Sequence, residues 1–97
     1  MPRSTANKVT QDVYDGVNSR YARRLPRELR GKVRRLLDQI YAAPTLDFLR
    51  VPPSNRLEEL RGDLAGFWRL RVNDQWRIIF RWEGSDALNV AITDYRR

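Results

Sequence analysis

The chain has 97 residues, 41% of them hydrophobic, enough for one compact core and too few for two, so a single domain spanning residues 1–97 is expected. It contains neither cysteine nor histidine, which excludes disulfides, thiolate metal sites and thiol or imidazole catalysis, and leaves any chemistry to Arg, Lys, Tyr, Ser/Thr or carboxylates. The net charge of +7 resides in one segment: residues 20–35 carry eight basic residues against one acidic, and the rest of the chain balances. That points to a polyanionic or acidic partner.

In chain order, residues 7–17 place Val9, Val13, Tyr14 and Val17 at helical spacing, with Ser4 or Thr5 as cap and Gly16 as stop. A second helix starts near Pro26. Its stripe of Leu29, Val33, Leu36, Leu37, Ile40 and Tyr41 is apolar, Arg27, Arg30, Arg34 and Arg35 lie on the other flank, and Ala43-Pro44 ends it. Residues 44–56 are rich in Pro, Ser and Asn and predict a connecting loop with a short turn around Leu46 to Leu49.

From Phe67 onward the period becomes two, which predicts three antiparallel strands. A three-residue turn of Asn73, Asp74 and Gln75 sets Val72 opposite Trp76, Leu70 opposite Ile78 and Trp68 opposite Phe80. It thereby keeps one apolar face, whereas a two-residue turn would mix the faces. A five-residue loop from Glu83 to Ala87 would set Trp82 opposite Leu88. The helices should cover the Trp/Ile/Phe face, so Trp68, Trp76 and Trp82 are expected in the core rather than stacked on bases. The open face then carries Arg69, Arg71, Arg77 and Arg81 without a carboxylate among them, together with Asn89, Ala91, Thr93 and Tyr95, and invites an anionic ligand.

Two runs now become specific: Leu49-Arg50-Val51-Pro52-Pro53-Ser54-Asn55-Arg56-Leu57-Glu58-Glu59-Leu60-Arg61-Gly62-Asp63, and Gly66-Phe67-Trp68-Arg69-Leu70-Arg71-Val72-Asn73-Asp74-Gln75-Trp76-Arg77-Ile78. With the ending Asp94-Tyr95-Arg96, they resemble the HigB/GraT branch of the RelE/ParE toxin superfamily, whose members carry R-x-P-P-x-N-R-L-E-x-L-K-G-D, G-x-W/Y-S-I-R-x-N-D-Q-W-R-I and a terminal D-Y-H. The resemblance covers nearly the whole chain. It implies an α+β, RelE-like fold with N-terminal helices on one face of a small twisted antiparallel sheet.

It also implies a cytoplasmic type II toxin that cleaves messenger RNA on the ribosome and is neutralised by a HigA/GraA-like helix-turn-helix antitoxin. Operator DNA would be reached only through the antitoxin complex, and no membrane, metal or cofactor is called for. By position the resemblance implies catalytic roles for Arg61, Arg77, Asp94, Tyr95 and Arg96. Arg69, Arg71, Arg81, Gln75 and Asn73 are the candidates for holding RNA.

Three departures from the pattern matter. Arg61 replaces a lysine and, with a pKa above about 12, cannot act as a base. Arg96 replaces the histidine and leaves a permanent cation there. Met1-Pro2-Arg3-Ser4-Thr5 lacks the family's Ile and Phe, so a first edge strand is expected to be short or missing. The alternatives are a catalytically weak or inactive binding module with the same fold, and a ParE-like DNA gyrase inhibitor.

Overall fold

The computed structural model describes residue 5 and residues 7–94. Helix α1 (Lys8–Asp15) starts at Asn7, whose side-chain oxygen accepts the Thr10 N–H at 2.9 Å, and stops at Gly16, which takes a left-handed conformation with φ 76°. The cap is thus Asn7 rather than Ser4 or Thr5. Val17 lies beyond the stop and is half exposed.

After two short 3-10 turns, the second preceded by Pro26, α2 (Arg30–Ala42) buries Val33, Leu36, Leu37 and Ile40. Leu29 and Tyr41 pack at its margin. The expected turn near Leu46 is a 3-10 turn over Leu46–Arg50. Asn55, buried, ties this loop together by donating from Nδ2 to the Leu49 and Val51 carbonyls.

The sheet has four strands in sequential order: β1 (Glu58–Glu59), β2 (Phe67–Arg71), β3 (Trp76–Glu83) and β4 (Asp86–Asp94). β1 went unforeseen, because two carboxylates carry no apolar alternation. The first hairpin has the expected register, with Trp68 opposite Phe80 and Leu70 opposite Ile78. The Asn73 carboxamide oxygen accepts the backbone N–H groups of Gln75 and Trp76, which shapes the turn.

The second hairpin corrects the expectation of a five-residue loop. Trp82 pairs with Ala87 and Glu83 with Asp86, so only Gly84 and Ser85 form the turn. Gly84 supplies the positive φ of 64° that its first turn position demands. The surplus residue appears instead as a bulge in β4 opposite Phe80, where Asn89 is left-handed at φ 53°. Beyond the bulge the expected register returns, with Ile79 opposite Ala91 and Arg77 opposite Thr93.

The helices cover one face of the sheet, and Leu37, Ile40, Leu70, Ile78, Phe80 and Val90 meet in the core, fully or almost fully buried. Trp76 is buried among them, and Trp68 and Trp82 pack partly buried against the same core. Thr5 forms a single parallel bridge to Val90 on the outer edge of β4; the rest of the expected first strand lies outside the described residues.

α1 is fastened to the same strand. The buried Thr10 hydroxyl accepts the Ile92 N–H at 2.8 Å and donates to Asn7 Oδ1 at 2.6 Å. Thr10→Val keeps the volume but leaves that N–H without its acceptor, so it should cost about 1–3 kcal/mol. Urea unfolding measures it; an unchanged midpoint would show that this fastening contributes nothing to stability. Among the described residues no helix is long and apolar enough to cross a membrane.

Candidate functional site

Two recesses meet at the C-terminal end of β4, and Asp94 lines both. The larger, about 600 Å³, lies toward α1 and is walled by Asn7, Val9, Arg24, Gln75, Trp76 and Ile92. The smaller, about 320 Å³, opens on the uncovered sheet face between Arg69, Arg77, Ile79 and Thr93, with Leu60 and Leu64 from the segment after β1 as its far wall. Size favours the first and chemistry the second. Of the two, the sheet-face cleft is the one that brings two guanidinium groups and a carboxylate around an apolar floor.

Strand parity explains the grouping. Arg69, opposite Ile79 near the centre of β2, and Arg77, opposite Arg71 at the start of β3, lie diagonally on one face, and Thr93 lies opposite Arg77 on β4. Arg77 is held firmly. Its guanidinium donates to the carbonyls of Asn73 and Trp76, and its own carbonyl accepts the Thr93 hydroxyl at 3.3 Å. Asp94 pairs across from Trp76 and accepts a hydrogen bond from Gln75 Nε2 at 3.1 Å.

The open face does not have the single sign that the two strands alone led one to expect. Arg69 pairs with Glu58 of β1 at 2.8 Å, Arg71 with Asp74 of the turn, and Arg81 with Glu83 at the end of β3 at 2.5 Å. The hydrogen bond and charge of Arg71 hold the Asp74 carboxyl below its ordinary value, with smaller help from Arg77 and Arg56.

Of the residues singled out in the sequence, Arg69, Arg77 and Asp94 come together in the cleft, and Gln75 touches Asp94 from the other recess. Arg71 and Arg81 do not line it, and the Asn73 oxygen is occupied by the turn. Arg61 is exposed on extended backbone between Leu60 and Leu64, both of which line the cleft although its own side chain does not. Tyr95 and Arg96 follow Asp94 directly and lie outside the described residues. Sequence reasoning missed Leu60 and Leu64. Their signal was a pair of leucines four apart around Arg61-Gly62-Asp63, in a stretch with no regular period.

Comparison with known proteins follows the same lines. The family described as RelE-like toxin of type II toxin-antitoxin system HigB matches residues 5–95. Toxin HigB-1 of Vibrio cholerae serotype O1 is 38% identical over 74 residues, covering 76% of this chain and 78% of that protein. An uncharacterized protein of Haemophilus influenzae is 34% identical over 67 residues, 69% of this chain and 66% of its own length. The solved structure of a YoeB/ParE toxin from Agrobacterium tumefaciens superimposes with a TM-score of 0.53 at 18% identity, covering 96% of this chain and 94% of that one, a likeness of fold.

Proposed function

The chain belongs to the HigB-like family of RelE-type toxins of type II toxin–antitoxin systems, and from that premise we propose that it cleaves messenger RNA on the translating ribosome and is held in check by a helix-turn-helix antitoxin. The observation that carries the reading is the cleft that gathers Arg69, Arg77, Thr93 and Asp94 immediately before Tyr95 and Arg96. In this reading the 2′-hydroxyl of one nucleotide attacks the adjacent phosphorus. The new O2′–P bond forms as P–O5′ breaks, and the 5′-oxygen leaves with a proton drawn from water or Tyr95.

Negative charge grows on the non-bridging oxygens, where Arg77 and Arg69 supply cationic donors already fixed in place. Asp94, oriented by Gln75, accepts the 2′-hydroxyl proton. Arg61 at the rim and Arg96 at the strand end act as cations for flanking phosphates. The apolar wall of Leu60, Leu64 and Ile79 limits water around the phosphate.

The test is primer extension on translated messages after induction, with and without the neighbouring reading frame's product. Wild type should arrest growth and leave discrete cuts, and co-expressed antitoxin should abolish both. Arg96→His should preserve or raise cleavage where proton transfer limits the rate. Cuts confined to Arg96→His would replace the nuclease reading with that of an inactive binding module. Gyrase-linked DNA damage without cuts would favour a ParE-like inhibitor.

A further inference from the structure

We propose that Glu58, Asp74 and Glu83 form a carboxylate guard over the arginines of the open sheet face, one that holds free single-stranded RNA off the cleft and favours a strand presented to it already ordered. The proposal rests on the reading of that cleft as the site of RNA cleavage. The arginines occupy successive rows of the face. Arg71 and Arg77 share the first, Arg69 stands beside Ile79 in the second, and Arg81 stands beside Phe67 in the third. Rows two residues apart along a strand are separated by roughly 6.6 Å, so the arginines lay out a track for the successive phosphates of an extended chain.

Each row carries its own carboxylate. Glu58 stands directly opposite Arg69 across β1 and β2 and meets it at 2.8 Å. Asp74 reaches Arg71 from the turn three residues on. Glu83, two residues beyond Arg81 and so on the same side of β3, meets it at 2.5 Å. Exposure shows which partner is outermost. The side chains of Arg69, Arg71 and Arg81 are 21%, 29% and 44% exposed, and those of Glu58, Asp74 and Glu83 are 57%, 96% and 53% exposed. A phosphate approaching from solvent therefore meets the carboxylates first. The hydrogen bond and charge of Arg71 also keep Asp74 ionised, by holding its carboxyl below the ordinary carboxylate range.

None of the three carboxylates lines the cleft itself. They act through the arginines: Glu58 keeps the Arg69 head in place on the empty face and yields it to a phosphate that displaces the pair. Such exposed pairs contribute little to folding, because solvent screens them and long side chains lose freedom in making them. Their effect falls on binding. A free strand must displace three carboxylates and also give up its own conformational freedom. Each displaced carboxylate takes back a counterion of the kind the phosphate released. A message held by the ribosome arrives ordered and at high local concentration, and has only the carboxylates to displace.

The experiment is fluorescence anisotropy of the full chain, free of antitoxin, with a short single-stranded RNA whose 2′-O-methyl groups block attack, titrated between about 50 and 200 mM salt. Glu58→Gln/Asp74→Asn/Glu83→Gln should bind about ten times more tightly than wild type at the lower salt, as three modest exposed pairs together imply, with an unchanged melting temperature. The slope of log affinity against log salt should steepen by roughly two units, at about 0.7 per phosphate on a single strand. The same three substitutions in an Arg69→Gln/Arg71→Gln/Arg81→Gln background should change neither quantity, because the net charge rises equally but the guarded arginines are gone. Binding elsewhere on the chain is common to both members of each comparison and cancels.

On cleavable RNA the carboxylate-free variant should cut the free strand about tenfold faster relative to translated messages. Affinity and slope equal to wild type in the folded variant overturn the guard. So does an equal gain in the arginine-free background, which assigns the effect to net charge alone. A wild type that cuts neither free nor translated RNA overturns the nuclease reading instead, and the binding comparison then still decides the guard.

Discussion

Arg77→Ala should slow cleavage roughly thirty- to a thousandfold, the range of about 2–4 kcal/mol that one fixed donor contributes to a charged transition state. Growth arrest should largely disappear with it. Because the Arg77 guanidinium also holds the Asn73 and Trp76 carbonyls, the loss could come from a loosened hairpin, and two controls separate the causes. A purely structural effect lowers the melting temperature and weakens antitoxin binding in step with activity. An effect on the phosphate leaves both in place. Arg77→Lys keeps the charge but loses the two-pronged geometry, so it should recover only part of the rate. Full activity in a folded Arg77→Ala protein would remove this cleft as the cleavage site.

Trp76→Ala should cost about 3–5 kcal/mol, because it empties a large volume between the helices and the start of β3. At roughly 4–8 °C per kcal/mol for a chain of this size, the melting temperature should fall by tens of degrees. The indole Nε1 is buried without a hydrogen-bond partner, so Trp76→Phe gives up area but no bond and should cost much less. Equal losses in the two variants would show that a phenyl ring recovers none of the packing, so that the fit of the indole rather than the buried area carries the effect. Calorimetry on the antitoxin-free chain decides between them.

Those two residues also mark how far the sequence could be read. Trp76 and Arg77 fall on opposite faces by simple alternation, and the turn that keeps Leu70, Ile78 and Phe80 together is the one that forms. The second hairpin defeated the same reasoning. A bulge at Asn89 conserves the period on either side of itself, so counting residues from Trp82 to Leu88 gives the same far register with a longer loop.

The cleft was legible for Arg69 and Arg77, whose faces follow from parity, while Asp94 was singled out by resemblance to a family motif. Its far wall was not legible, since Leu60 and Leu64 belong to an irregular stretch. Nor were the ion pairs of the sheet. Glu58 reaches Arg69 from an undetected strand, and Asp74 and Glu83 come from a turn and a strand end that alternation does not describe.

The attachment of α1 to β4 has a consequence in time. Every pairing between the four named strands joins neighbours in sequence, so the meander can assemble soon after its residues are made. The bond from Ile92 to Thr10 spans 82 residues, and that from Asn7 to the Ile92 carbonyl spans 85. During vectorial synthesis the first helix emerges early and stays unfastened until Ile92, 82 residues later, has left the exit tunnel. Until Ile92 is out, the nascent chain lacks the finished wall around Asp94.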